Sequence, residues 1–256
     1  MKSDVLIVTY HAIASPSAPV CCPPAQLEAD LETLADAGFT FVSLDECADW
    51  LSGAKPLPPR SIAVTFDDAY ANVVSDGLPI LLRFRVPATI FAIVSRLGGD
   101  NQWQGQWRSI RPMPLACARQ LQELADAGMT IGSHSLSHPL LTDVEADDLR
   151  RELEQSADRL EQILGKPIRH FAYPYGVRGA REVAAARRLF RTAVNATAGL
   201  VSAGADPHDL CRIDCHDLRL AARLKWFDSS TLSPYLAARR GLRRARRAVE
   251  RLIGHS

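Results

Sequence analysis

Apolar positions along the chain switch repeatedly between a helical period and a strand period. From position 26 to position 37, leucines recur every three or four residues, which predicts an amphipathic helix that Gly38 ends. The next segment, 39–44, is rich in Phe and Val and predicts a strand. The same helix–glycine–strand unit recurs at 119–132 and again at 146–172, where the predicted helix covers 146–164 and Gly165 ends it. This repetition indicates a regular α/β organisation.

Further apolar segments complete a set of strands that alternate with helices. Strands rich in Val, Ile and Phe with this alternation predict a parallel sheet covered by helices. No low-complexity linker divides the chain, so the sequence predicts one domain at 1–231 and a basic helix at 232–256. The remaining predicted strands are 4–9, 61–66, 87–94 and 191–195.

Two segments interrupt this rhythm and are predicted to be loops, at 95–114 and 199–210. The first contains Trp103 and Trp107 together with glycines and two prolines. It is either an ordinary insertion or the wall of a sugar-binding site, because aromatic side chains in functional loops often line such sites. The pattern favours neither interpretation.

Composition is that of an ordinary globular protein. Hydrophobic residues make up 47% of the 256 positions and charged residues 23%, so the chain can bury a core without disulfides. Its six cysteines form no Cys-x-x-Cys pair and are expected to be reduced thiols. The apolar run near the N-terminus is too short for an export signal, and no stretch reaches the roughly 20 apolar residues that span a bilayer. These features predict a cytoplasmic protein.

Charge is unevenly distributed along the chain. The formal net charge is only +1, which predicts no general attraction for nucleic acid. Between Arg239 and Arg251, however, seven arginines stand against one glutamate. An apolar stripe opposite these arginines allows two interpretations of residues 232–253. The favoured one is a final helix that packs on the domain. The alternative is peripheral contact with an anionic membrane.

The first candidate for chemistry is the pair Asp67–Asp68, which directly follows the predicted strand 61–66. Adjacent carboxylates after a buried strand are costly unless they bind a cation or share a proton. Successive residues of an extended segment point in opposite directions, so the two aspartates can have different roles. The alternative interpretation is a helix N-cap followed by a first-turn acid.

The second candidate is the motif His134-Ser-Leu-Ser-His138. Two histidines four residues apart at a turn face the same way and can share one metal through their imidazole nitrogens. Together with one carboxylate they make a three-ligand site that leaves a position open for water.

A third motif, Phe-Ala-Tyr-Pro-Tyr-Gly at 171–176, predicts a sharp turn that either exposes a backbone N–H or packs its aromatic rings. All three motifs follow predicted strands, and in α/β folds ligands bind where the carboxyl ends of the strands meet.

The motifs Thr-Phe-Asp-Asp, His-Ser-x-x-His and Tyr-Pro-Tyr-Gly, in this order, resemble the polysaccharide deacetylase (NodB-homology) family, carbohydrate esterase family 4, over residues 4–215. The resemblance implies a distorted (β/α) barrel with about seven parallel strands, a divalent metal and N-deacetylation of acetylated amino sugars. It further implies Asp67 as general base, Asp68, His134 and His138 as metal ligands, and the Tyr175 N–H as an oxyanion donor.

The N-terminal sequence Thr-Tyr-His-Ala-Ile at 9–13 is similar to a subgroup that includes the biofilm poly-N-acetylglucosamine deacetylases. In that subgroup the general-acid histidine lies near the N-terminus, which implies His11 as the proton donor. His11 also follows the first predicted strand, so it is expected to face the same mouth. A core histidine is the alternative interpretation for His11, and His208, His216 or Asp214 could supply the acid instead.

The sequence departs from the family pattern at two positions. Many members carry an arginine where Ala172 stands, and it orients the catalytic aspartate. The partner of Asp67 therefore stays open, with Arg212 as a candidate. Ala69 replaces the usual glycine after the aspartate pair, which is a mild change.

These features predict a metal-dependent N-deacetylase of an N-acetylated amino sugar, whether glycan, lipid-linked or small conjugate. Zinc is the first expectation for the metal, and cobalt or nickel would accept the same ligands. Two alternatives are a non-catalytic sugar-binding module of the same fold and an amidohydrolase that acts on a non-sugar amide.

Overall fold

The computed structural model of the protein describes residues 4–15, 20–106, 110–223, 234–236, 238 and 241. Its strands are β1 (Leu6–Tyr10), β2 (Ala12–Ile13), β3 (Cys21–Cys22), β4 (Thr40–Phe41), β5 (Ser61–Phe66), β6 (Thr89–Ala92), β7 (Thr130–Ser133), β8 (His170–Ala172), β9 (Thr192–Val194) and β10 (Ile213–Asp214). Its α-helices are α1 (Pro24–Asp36), α2 (Leu44–Leu51), α3 (Leu78–Arg83), α4 (Ala118–Asp126), α5 (Ala146–Leu164), α6 (Ala180–Ala186) and α7 (Cys215–Arg223).

Seven parallel strands form the curled sheet, in the order β10-β1-β5-β6-β7-β8-β9, and β4 pairs with β5 beside this path. Helices connect most successive strands, as parallel pairing requires. At the carboxyl end of β1, Thr9 pairs with Thr65 of β5 and with Asp214 of β10. The predicted distorted (β/α) barrel with about seven parallel strands is therefore confirmed. The carboxyl ends of its strands meet at one mouth.

Two clusters of buried apolar residues pack against the sheet. The inner cluster lies inside the barrel, and the outer cluster lies between the sheet and the helices. Strand β1 shows the division: Leu6 and Val8 pack in the outer cluster with the helices, whereas Ile7 belongs to the inner one. This alternation is the period of two that a strand imposes on its side chains. Phe91 is the largest apolar side chain of the inner cluster that comes from the sheet, and it is fully buried.

Gly132 on β7 makes room for Phe91. A Cβ atom at Gly132 would lie 2.5 Å from Phe91 Cδ1 and 2.9 Å from the His170 carbonyl oxygen. We expect Gly132→Ala to lower the free energy of unfolding by about 1–3 kcal/mol, because this part of the barrel has no space for a methyl group. Urea titration would measure the change. Gly77→Ala is the matched control, since the atom nearest to its Cβ, Ile13 Cγ1, would lie 3.4 Å away. An equal loss in both variants would contradict the explanation.

The prediction of a strand at 39–44 is wrong for the second half of that segment. Only Thr40–Phe41 pairs as a strand, and helix α2 begins at Leu44. Ser43 caps this helix, because its Oγ accepts a hydrogen bond from Glu46 N while the Glu46 carboxylate accepts one from Ser43 N. This capping box satisfies two backbone donors and outweighs the strand propensity of the flanking apolar residues.

The predicted C-terminal helix 232–256 lies almost wholly outside the described residues. Positions 234–236 are helical, and Leu236 is buried there in the outer cluster. The division of the chain at position 231 therefore stays a prediction. Among the helices that the structure describes, none combines the length and the apolar character needed to cross a membrane.

Candidate active site

A cavity of about 320 Å³ opens at the carboxyl ends of the strands. Most of its polar lining comes from strand ends and from the turns beside them, whereas Trp103, Gln106 and Ile110 reach it from the loop predicted at 95–114. Trp103 is buried, so this loop forms part of the wall. Trp107 lies outside the described residues.

Asp68, His134 and His138 place one ligand atom each within 4.8 Å of the others. The Asp68 Oδ1 atom lies 3.5 Å from His134 Nε2 and 3.8 Å from His138 Nε2. These separations are too long for hydrogen bonds, but they suit ligands that share one ion, since tetrahedral bonds of about 2.0–2.1 Å separate ligand atoms by about 3.4 Å. The three residues predicted from the sequence as ligands are thus brought together.

The two imidazoles are oriented by different means. His134 Nδ1 lies 2.7 Å from the Ala172 carbonyl oxygen and donates to it, so Nε2 is the ring nitrogen that faces Asp68. The His138 ring packs between Trp103 and Tyr175, with both ring centroids 4.6 Å away. Its Nδ1 atom is buried without a hydrogen-bond partner among the described residues. Two imidazole nitrogens and a carboxylate are a donor set that fits zinc.

Burial sets the protonation tendencies of this group. Burial, together with the electrostatic interaction with the His134 ring, lowers the pKa of His138 well below its usual value, so this imidazole is neutral and can act as a ligand. Burial also raises the pKa of Asp68, although the nearby His11 and His134 oppose the shift. A divalent cation would offset that cost, because it stabilises the carboxylate form.

Asp67 lines the same cavity as the three ligands and forms a buried ion pair with Arg212. The Arg212 Nη1 and Nη2 atoms donate to Asp67 Oδ1 and Oδ2, each at 2.7 Å. Burial raises the pKa of Asp67, but the charge and hydrogen bonds of Arg212 outweigh it and hold this pKa below its usual value. Asp67 is therefore ionised at neutral pH and can accept a proton.

Arg212 is the partner of Asp67 that the sequence left open. Its Nη1 also donates to the hydroxyls of Thr9 and Thr65, and its Nε donates to the Asn195 carbonyl. The guanidinium lies 5.8 Å from the centre of the Phe91 ring. The arginine thus enters the barrel from the segment before β10.

Of the three histidines considered as the acid, only His11 lines the cavity. His208 is buried elsewhere, with its Nε2 atom 2.8 Å from the Phe190 carbonyl oxygen. His216 is exposed and contacts Arg219 through Nδ1. The geometry therefore favours His11 over the other two.

Tyr175 lies at the rim in a 3₁₀ turn, Pro174–Gly176, with a φ angle of 58°. Among the described residues, no backbone carbonyl accepts a hydrogen bond from its N–H. The following Gly176 is required, because a Cβ atom there would overlap Ala196. This N–H is available to a ligand in the cavity.

Backbone strain concentrates around this site and was not predicted. A non-glycine residue with positive φ is uncommon and costs about 1–3 kcal/mol when it persists. Among the described residues seven non-glycine positions have positive φ, and five of them carry or adjoin the candidate site residues. Only the replacement of a family glycine by Ala69 gave a sequence signal. The five are Asp68, Ala69, Ser135, His138 and Tyr175.

A second group, Asp214, Cys215 and His216, also brings ligand atoms within 4.8 Å of one another. It is less suited to a metal, because Arg219 Nη1 lies 3.3 Å from His216 Nδ1. Burial also raises the pKa of the Cys215 thiol, which disfavours the thiolate that a metal needs. The Asp68 group is the better candidate.

Sequence comparison places these features in a family. The sequence model of the polysaccharide deacetylase family matches residues 54–194. The YxkH protein of Bacillus subtilis is 25% identical over 66% of this chain and 56% of its own length. A poly-β-1,6-N-acetyl-D-glucosamine N-deacetylase of Staphylococcus aureus is 26% identical over 60% of this chain and 53% of its own length. The chain thus spans about half the length of these relatives.

Structure comparison agrees. The Streptococcus pyogenes deacetylase PplD, solved with acetate, has a TM-score of 0.72 and 25% identity over 84% of this chain and 93% of its own. IcaB from Ammonifex degensii has a TM-score of 0.76 over 88% of this chain and 97% of its own. Its 21% identity supports the fold alone.

Proposed function

Because the chain belongs to the polysaccharide deacetylase family, we propose that it is a metal-dependent hydrolase that removes the acetyl group from an N-acetylated amino sugar. One observation carries the proposal: the Asp68, His134 and His138 ligand atoms lie together beside an ionised Asp67 in one cavity. The named activity of the Staphylococcus aureus relative supports an N-acetylated sugar as the substrate. Zinc is the proposed metal.

Asp67 and Arg212 supply the base. A divalent metal held by Asp68, His134 and His138 would polarise the substrate carbonyl and make a water molecule more acidic. Asp67 accepts the proton of that water as it attacks, since the ion pair keeps the carboxylate ionised and fixed in place. Arg212 acts by holding the base.

His11 and Tyr175 complete the proposed chemistry. An amide C–N bond breaks readily only when its nitrogen receives a proton, and His11 is the histidine at the cavity that can deliver one. The Tyr175 N–H donates to the oxyanion that forms on the carbonyl oxygen. A donor of this kind is typically worth about 2.7–4 kcal/mol in the transition state.

Removal of the metal is expected to abolish acetate release. Purified protein would be dialysed against a chelator and assayed on N-acetylated glucosamine oligomers with β-1,4 or β-1,6 linkages. Activity should return on addition of Zn²⁺, because the three ligands cannot polarise a carbonyl by themselves. Undiminished release by protein shown to be metal-free would contradict the proposal.

The same assay separates the two alternative functions. A non-catalytic sugar-binding module would bind the oligomers and release no acetate from them, whichever metal ion is added. An amidohydrolase of a different specificity would release acetate from N-acetylated amino acids and not from sugars. The proposal expects release from the sugars alone.

The proposal leaves two sequence-based expectations as predictions. These are the cytoplasmic location and the membrane contact of residues 232–253. Liposome sedimentation with and without that segment would measure the contact, and equal partition of the two forms would contradict it.

A further inference from the structure

The turn that carries the second histidine is strained. Between His134 and His138 the backbone places Ser135 at φ 67°, and His138 itself stands at φ 66°. Residues other than glycine rarely adopt a positive φ angle. A turn with two such residues in four needs contacts from outside itself to persist.

Serine hydroxyls secure both ends of this turn. The Ser135 Oγ atom accepts a hydrogen bond from His138 N at 2.9 Å, and the Ser133 Oγ atom accepts one from Ser135 N at 3.2 Å. Ser133 Oγ also lies 2.7 Å from the Ser156 hydroxyl on α5. These bonds do not hold Ser137, the residue directly before the second histidine.

Glu152 on α5 holds that residue by two hydrogen bonds. Its Oε2 atom accepts from Ser137 N at 2.9 Å, and its Oε1 atom accepts from the Ser137 hydroxyl at 2.6 Å. The Glu152 backbone carbonyl accepts a third bond, from Leu136 N at 3.1 Å. Hydrogen bonds to an ionised carboxylate are stronger than bonds between neutral groups. The carboxylate therefore fixes the backbone N–H and the hydroxyl of Ser137.

We propose that Glu152 is a positioning residue for the metal centre: it clamps Ser137 so that His138 stays aligned with Asp68 and His134. This inference rests on the proposed function, because it concerns how the chain prepares its metal ligands. Glu152 does not line the cavity, so it acts through the turn. Replacing an outer-shell residue that supports a metal ligand typically lowers metal affinity 10–100-fold.

The test measures the dissociation constant for Zn²⁺ by competition with a chelator. Glu152→Ala removes both side-chain bonds to Ser137 and should weaken Zn²⁺ binding about 10–100-fold. Glu152→Gln can still accept from Ser137 N and donate to its hydroxyl, so it should bind nearly as the wild type does. Glu154→Ala is the matched control on the same helix, since Glu154 pairs with the exposed Arg150. It should leave the affinity unchanged.

Two further readouts separate positioning from general stability. Thermal unfolding of the metal-free proteins shows whether each variant is folded at the assay temperature. The absorption spectrum of bound Co²⁺ reports the ligand geometry and should change in Glu152→Ala but not in Glu154→Ala. Should Glu152→Ala fail to fold, Ser137→Ala removes one of the two bonds and should weaken Zn²⁺ binding to a smaller extent.

The outcomes are distinct. A folded Glu152→Ala protein that binds Zn²⁺ as tightly as the wild type, with an unchanged Co²⁺ spectrum, overturns the inference and leaves the proposed function intact. A wild-type protein that binds neither Zn²⁺ nor Co²⁺ overturns the proposed function itself. Weakened binding in Glu152→Ala with recovery in Glu152→Gln supports the clamp.

Discussion

Asp67→Asn is expected to lower the rate of acetate release by about 10²–10⁴-fold while the protein still binds one metal ion. Asparagine has nearly the same shape as aspartate but cannot accept a proton at neutral pH. The Asp67 oxygens face Arg212, whereas the candidate metal ligands are Asp68, His134 and His138. Loss of the base should therefore separate from loss of the metal.

Asp68→Asn is the matched comparison, because it makes the same chemical change at the neighbouring aspartate. We expect this variant to lose both metal and activity. Metal content and turnover would be measured on each protein at a temperature where circular dichroism shows it folded. Near-normal turnover by metal-loaded Asp67→Asn would show that another group is the base.

Arg212→Met is expected to lower the free energy of unfolding at pH 7 by about 3–5 kcal/mol, since it leaves a buried carboxylate without its partner. Arg212 is 2% exposed, so water cannot replace the two hydrogen bonds that Asp67 loses. The exposed Arg150→Ala is the control, and it should change stability by less than about 0.5 kcal/mol. Urea titration would measure both.

The same variant should reverse the pH dependence that Asp67 contributes. In the wild type the folded-state pKa of Asp67 is lowered, so its contribution to stability is present above about pH 4 and declines as the pH falls further. Without Arg212, burial raises this pKa, so the variant should become relatively more stable as the pH falls. The acid limb of kcat/KM should also move to higher pH. A limb that stays in place would contradict the role given to Arg212.

Adding Asp67→Asn to Arg212→Met should recover part of the lost stability. The double variant has no buried charge at this position, and replacing both partners of a buried pair costs less than removing one. If the two losses simply added, the ion pair would not be the source of the effect.

The long helices and the sheet could be predicted because their apolar period extends over many residues. Helix α5 was predicted at 146–164 and lies at Ala146–Leu164, where nineteen residues keep one period and Gly165 ends the helix. Helix α2 was not predicted, although Ser43 and Glu46 form its capping box and stand at the usual spacing in the sequence. It has only eight residues, and the apolar strand signal before it concealed the start.

The grouping of Asp68, His134 and His138 could be predicted because each motif directly follows a strand of a parallel sheet. The ion pair between Asp67 and Arg212 could be named only as a candidate, since 145 positions separate the two residues and no local pattern joins them. The contact between Glu152 and Ser137 was not predicted either. It depends on how helix α5 packs against the turn, and an exposed glutamate on a helix looks the same in sequence whether or not it does this.

Crystals grown with Zn²⁺ and measured at the zinc absorption edge would test the central claim most directly, namely that one cation binds Asp68, His134 and His138 together. We predict a single anomalous peak within about 2.0–2.2 Å of one oxygen and two imidazole nitrogens of this group. The peak should vanish in His134→Ala. An absence of zinc there, or a peak at Asp214, Cys215 and His216 instead, would contradict the account.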